Sequence, residues 1–110
     1  MANNDCGCTD NCICKKRRYV TGRASNMFKI LGDPTKLEIL FALEEGSLCV
    51  TDLVNLLGYS QSLISHQLKI MRDNNIVKTN RVGNKVYYAL ADDHVIKLLE
   101  IAREHASENI

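Results

Sequence analysis

The sequence predicts a mainly α fold with one β-hairpin, on two observations. Apolar residues recur at helical spacing in four segments before residue 74 and again after residue 92. Between them, residues 76–79 and 85–90 are rich in β-forming residues, and Val82-Gly83-Asn84 separates them as a turn. With 110 residues and 45% hydrophobic content, the chain has the size and composition of one domain with a single core.

The first two predicted helices meet at a clear boundary. Ala24, Met27, Phe28 and Leu31 share one side of a helix that begins near Arg23 and ends at Gly32. Asp33-Pro34 then provides an N-cap followed by proline at the first helical position. The second helix is expected to end near Gly46.

The next two predicted helices form a recognisable motif. Residues 51–57 form a short helix that Gly58 ends, and Ser60 caps the helix that follows. Two short helices joined by a three-residue turn predict a helix-turn-helix. The basic hairpin after it completes a winged helix, and a final helix runs from Asp92-Asp93 to about Ala106.

The chain divides by composition into two parts. Residues 1–20 are interpreted as a flexible, cysteine-rich arm, and residues 21–110 as a DNA-binding and dimerisation domain. No apolar run has transmembrane length, and the N-terminus lacks the apolar stretch of a signal peptide. We therefore expect a cytoplasmic protein without a membrane partner.

Cysteines are concentrated in the arm, at Cys6, Cys8, Cys12 and Cys14. Thiols stay reduced in the cytoplasm, and five cysteines in all cannot pair completely within one chain. The cysteines therefore favour metal binding or redox chemistry over a disulfide framework.

The helix after Ser60 has a face suited to DNA. Ile64, Leu68 and Met71 point to the core, while short hydroxyls, an imidazole and an ammonium group share the other side. A merely solvated face is the alternative, but the preceding turn and the following basic hairpin favour DNA. The candidate DNA-binding residues are Ser60, Gln61, Ser62, Ser65, His66 and Lys69 on the helix, with Arg81 and Lys85 for phosphate contacts beside the hairpin tip.

The last helix carries a candidate metal site. His94 and His105 are eleven positions apart, so they lie about 20° apart around the axis and about 16 Å apart along it. They share a face but cannot hold one ion. Asp92 adjoins His94, and Glu108 follows His105 by three positions, so each end offers half of a tetrahedral zinc shell. An antiparallel copy of the helix would complete both halves, which predicts a two-fold symmetric homodimer.

In these features the sequence resembles the ArsR/SmtB family of metal-sensing repressors. The resemblance covers residues 24–108 and rests on LGDPTKLEIL, SLCVTDL, SQSLISHQLKIMRD, RVGNKVYYAL and the Asp-x-His-x10-His-x2-Glu pattern of the last helix. It implies a winged-helix dimer that binds operator DNA and represses genes for metal efflux or sequestration until a metal ion releases it. It also implies that Asp92, His94, His105 and Glu108 bind Zn(II).

The resemblance implies a second, thiolate-rich metal site. Cadmium and lead sensors of this family combine arm cysteines with a segment LCVCD, which here reads Leu48-Cys49-Val50-Thr51-Asp52. Cys49 is thus the only thiol in that segment. Cys8 and Cys12 have the spacing of cadmium-sensing relatives, and Cys6 and Cys14 remain possible. Thiolates suit Cd(II), Pb(II), Zn(II) or Cu(I).

Other functions receive less support from the sequence. No phosphate loop and no evident Cys-His pair points to an enzyme. A repressor of the same fold that responds to arsenite or to thiol oxidation is one alternative, although it leaves the last-helix ligands without a purpose. A metal-buffering protein is another, and the helix-turn-helix argues against it.

Overall fold

A computed structural model describes residues 13–108 and contains, in that range, five α-helices and a three-stranded antiparallel sheet. The elements occur in the order α1 (Ile13–Leu31), α2 (Pro34–Ala42), a 3-10 turn (Leu43–Glu45), β1 (Leu48–Cys49), α3 (Val50–Leu57), α4 (Gln61–Asp73), β2 (Val77–Val82), β3 (Lys85–Leu90) and α5 (Asp93–Ala106). This order confirms the predicted winged helix-turn-helix, with α3 and α4 as the motif and β2–β3 as the wing.

Local capping explains where α2 and α4 begin and where α3 ends. Asp33 accepts a hydrogen bond from the Lys36 backbone N–H at 3.0 Å, directly before the proline that starts α2. Ser60 Oγ accepts one from the Leu63 N–H at 3.1 Å and so fixes the start of α4. Gly58 ends α3 in the left-handed region, at φ 81°, which permits the tight turn.

The core lies between the helices and the inner face of the sheet. Leu53 of α3 and Leu68 of α4 are fully buried against Ile39 and Leu40 of α2. Leu99 anchors α5 in the same cluster. The core therefore fixes the helix-turn-helix relative to α2 and to the first half of α5.

The sheet corrects the predicted hairpin in two respects. Strand β2 continues to Val82, which pairs with Lys85, so the tip consists of Gly83-Asn84 alone, with Gly83 at φ 64°. Strand β1 was not predicted. Its two residues pair with Tyr88 and Tyr87 of β3, and a strand of two residues is too short to show a period in the sequence.

The first helix also differs from the prediction. It begins at Ile13 rather than near Arg23, so residues 13–20, which the sequence assigned to the arm, are helical. Its buried residues are Ile30 and Leu31, so the first turns show no core pattern, although Lys and Arg are good helix formers. Residues 1–12 lie outside the described range, and the division into arm and domain stays a prediction.

The second helix is shorter than predicted. The α-helix ends at Ala42, and the 3-10 turn continues the chain to Glu45 before Gly46, whose φ is 151°. The periodic apolar pattern does not distinguish an α-helix from a 3-10 turn over three residues.

Candidate functional site

The polar side of α4 is open to solvent. Ile64, Leu68 and Met71 are buried, as the spacing predicted, and they hold the helix on the body through one face. The predicted DNA-binding residues of the motif lie on exposed positions: Ser60, Gln61, Ser62, Ser65, His66 and Lys69. The helix therefore presents a contiguous polar surface of the kind that enters a major groove.

Two of these side chains already have partners within the chain. Ser60 Oγ accepts the capping bond, which leaves its hydroxyl proton available to donate. Lys69 Nζ lies 3.1 Å from Asp73 Oδ2, with both side chains mostly exposed. Such an exposed pair contributes little stability and can open toward a phosphate.

Two contacts that the sequence did not reveal fix the ends of α4. The Tyr59 hydroxyl, in the turn before α4, donates a hydrogen bond to the Glu38 carboxylate of α2. This bond favours the protonated phenol and raises the pKa of Tyr59. At the other end, Asn74 Nδ2 donates to the Ile70 carbonyl at 2.8 Å, and Asn74 Oδ1 accepts from Asn26 of α1 at 2.8 Å. Tyr59 and Glu38 are 21 residues apart, and Asn26 and Asn74 are 48 residues apart, so no local sequence pattern indicates either contact.

The wing carries the predicted cations beside its tip. Arg81 pairs with Val86 and Val82 with Lys85 in the hairpin register, and both Arg81 and Lys85 are exposed. A cation at each side of a two-residue tip can approach a DNA backbone from the motif's flank.

The first predicted half-site lies where α5 begins. Asp92 Oδ1 accepts a hydrogen bond from the Val95 N–H at 3.1 Å, so this carboxylate is the N-cap of α5. Its other oxygen, Oδ2, lies 3.8 Å from His94 Nδ1. The His94 side chain is 93% exposed, which leaves it accessible to an ion and to a second chain.

The second half-site lies where α5 ends. The helix stops at Ala106, so Glu108 falls just beyond it, but Glu108 Oε1 still lies 3.9 Å from His105 Nδ1. Both side chains are mostly exposed. The structure thus places each predicted histidine beside its predicted carboxylate.

Neither pair is a complete ion site in one chain. Within residues 13–108, no three His, Cys, Asp or Glu side chains converge as a metal site would require. Between the two pairs, Ile101 is 64% exposed, an apolar side chain that a monomer leaves in water. One imidazole and one carboxylate at each end are half of the four ligands that structural zinc takes.

Cys49 lies at the junction between β1 and α3, in an extended backbone conformation. It ends β1, forms the N-cap position of α3 and is 7% exposed. Its backbone N–H donates to Asp52 Oδ2 at 3.1 Å. Hydrogen bonds from this N–H and from the Cys49 thiol lower the pKa of Asp52.

Of the arm cysteines, Cys14 alone lies within the described residues. Cys14 is half-buried within α1, and Cys6, Cys8 and Cys12 lie outside the described residues. The predicted thiolate site therefore stays a prediction.

Comparison with known proteins identifies the family. The family model described as bacterial regulatory protein, arsR family, matches residues 33–79. A transcriptional repressor SmtB homolog of Synechocystis sp. is 42% identical over 85 residues, which cover 77% of this chain and 64% of that protein. A cadmium resistance transcriptional regulatory protein CadC homolog of Staphylococcus aureus is 39% identical over 85 residues, covering 76% of this chain and 70% of that protein. The chain belongs to the arsR family.

A solved structure supports the same assignment of fold. The winged helix-turn-helix domain of Mb0332 from Mycobacterium bovis, a homodimer in solution, superposes with a TM-score of 0.79 at 22% identity. The match covers 94% of this chain and 95% of that chain. As an arsR-family member, the protein is a DNA-binding transcription regulator and not an enzyme, as the sequence predicted. No helix within residues 13–108 is long and apolar enough to cross a membrane.

Proposed function

We propose that this arsR-family regulator is a metal-responsive repressor whose homodimer binds operator DNA and is released by ions of the Zn(II), Cd(II) or Pb(II) type. The observation that supports this most is the pair of surface half-sites on α5. Each has one imidazole and one carboxylate within 4 Å, and they lie at opposite ends of one helix.

The donor atoms suit Zn(II). Imidazole nitrogen and carboxylate oxygen are both zinc ligands, and a tetrahedral shell needs four. One chain supplies two at each place, so Asp92 and His94 of one protomer would join His105 and Glu108 of the other. Exposed Ile101, between the half-sites, would be covered in the same dimer. Mb0332, which has the same fold, is homodimeric, and this is consistent with a dimer of the present chain.

The cysteines would provide a second input for softer ions. Cys49 with cysteines of the arm, among Cys6, Cys8, Cys12 and Cys14, would bind Cd(II), Pb(II), Zn(II) or Cu(I) through thiolates. Cys49 lies where β1 meets α3, so an ion bound there would act on the helix-turn-helix and on the base of the wing together.

Release follows from linkage between two binding equilibria. An ion that binds the DNA-free dimer more tightly than the DNA-bound dimer must weaken operator binding by the same factor. Such coupling is commonly about 5- to 150-fold. The ion and the operator thus compete through the geometry of the dimer without sharing a residue.

The test is operator binding measured with Zn(II), Cd(II), Pb(II), Cu(I) and arsenite. Wild type, Cys49→Ser and a His94→Ala/His105→Ala double variant are compared, with Glu104→Gln as an exposed α5 control. The double variant should lose release by Zn(II) and keep operator binding, while the control behaves as wild type. Zn(II) that never affects operator binding in the wild type contradicts the zinc assignment, and release by arsenite alone favours the arsenite-responsive alternative.

A further inference from the structure

The second half of α5 projects from the body of the protomer. Leu99 is the last buried side chain of the helix, and every residue from Glu100 to Glu108 is exposed. His105 and Glu108 are therefore carried by a segment with little apolar anchoring to its own chain. Its direction follows from the continuity of α5 beyond Leu99 and from the contacts of its own side chains.

An ion pair joins this segment to the body. Arg103 Nε lies 3.0 Å from Glu44 Oε1, a contact between residues 59 positions apart. The Glu44 side chain is only 14% exposed and the Arg103 side chain 49%, so the pair is screened less than a fully exposed one. Two positions along a helix correspond to about 200°, so Arg103 faces the body while His105 faces away from it.

Glu44 lies in a part of the fold that leads directly to the wing. It belongs to the 3-10 turn Leu43–Glu45, in which Leu43 is buried. Strand β1 begins at Leu48, four residues after Glu44, and pairs with Tyr87 and Tyr88 of β3. Strand β3 begins at Lys85, beside the tip of the wing. If Glu44 moves, the packed 3-10 turn and β1 move with it, and β1 is hydrogen-bonded to β3 of the hairpin.

We propose that the Arg103–Glu44 ion pair transmits the position of the metal-binding end of α5 to the wing. This inference rests on the proposed function, because it assigns a regulatory role to residues beside the α5 half-site. Both are positioning residues: neither would contact the ion or the DNA. Without the pair, the end of α5 can follow the partner's ligands while the 3-10 turn and the sheet stay in place. Zinc then binds but does not release the operator.

The experiment measures zinc affinity and operator affinity separately in full-length Arg103→Gln, Glu44→Gln and the double variant. We expect operator affinity without metal and zinc affinity without DNA to stay close to wild type. The factor by which Zn(II) weakens operator binding should fall by about 3- to 30-fold. The double variant should lose no more than either single variant, because both remove one interaction. Arg103→Lys, which keeps a cation facing Glu44, should retain most of the factor.

Lys97→Gln is the matched control, because it removes an exposed cation from the same helix and should leave the factor unchanged. The inference is wrong if the single variants release the operator as wild type does, or if zinc affinity falls in all three variants while the release factor persists. The latter result would mean that the pair only supports the half-site. An absence of any zinc effect in wild type would instead refute the proposed function itself.

Discussion

The wing gives the sharpest quantitative prediction for DNA binding. Arg81 and Lys85 are exposed beside the Gly83-Asn84 tip, and a dimer has two wings. Replacing both with glutamine would therefore remove up to four phosphate contacts per dimer. Each contact contributes about 0.9 to the slope of log affinity against log salt concentration, so the slope should become shallower by about 3.6.

The same numbers predict the change in affinity. When salt is raised from about 50 to about 200 mM, wild type should lose operator affinity by a factor about 150 times larger than the variant does, because the slopes differ by about 3.6. The ratio of operator affinity to scrambled-DNA affinity should stay unchanged, because phosphate contacts carry no sequence information. Fluorescence anisotropy with both DNAs across a salt series measures both quantities.

Lys78→Gln is the control for this measurement. Lys78 is an exposed cation on β2, paired with Ala89, near the base of the wing and away from its tip. The slope of log operator affinity against log salt concentration should be the same for Lys78→Gln as for wild type. A wing variant with an unchanged slope would show that the wing does not contact phosphates. A collapse of the operator-to-scrambled ratio would show that it reads bases.

Two further predictions concern stability. Leu68→Ala removes a fully buried side chain of α4 and should lower the free energy of unfolding, measured by urea titration, by about 2–5 kcal/mol. Leu56→Ala, at a side chain that is 63% exposed, should change the free energy of unfolding by less than about 0.5 kcal/mol. Equal effects of the two substitutions would contradict this difference in burial. Hydrogen bonds from Cys49 hold the pKa of Asp52 below its usual 3.8, so Asp52 stabilises the fold above that pH, and the contribution is lost as pH falls through the lowered pKa. The stability difference between wild type and Asp52→Asn should therefore be constant near neutral pH and shrink as the pH falls below 3.8, and a difference that grows on acidification would refute this reasoning.

The accuracy of the sequence predictions differs between elements for physical reasons. The starts of α2 and α4 were predicted because Asp33-Pro34 and Ser60 satisfy backbone N–H groups that lie within three residues of them. The start of α1 was missed because its first turns pack on little of the described chain, so core periodicity gave no signal. Strand β1 was missed because its hydrogen bonds go to residues about 40 positions away.

The candidate sites follow the same division. His94 lies beside Asp92, the N-cap of α5, and His105 lies beside Glu108, just past the end of the helix. Because each pair is only two or three positions apart, the sequence alone indicated which candidate ligands would lie together. The sequence also determined the polar face of α4, because 3.6 residues per turn separates it from Ile64, Leu68 and Met71.

Tertiary structure alone decided which polar contacts between elements join the ends of these surfaces to the rest of the fold. The Tyr59–Glu38 and Asn26–Asn74 hydrogen bonds fix the two ends of α4, and the Arg103–Glu44 ion pair fixes the second half of α5. Each joins groups that are 21 to 59 residues apart in the sequence and become neighbours only when the core assembles. Spacing along the chain fixes which side chains share a helix face, whereas packing between elements fixes which faces meet.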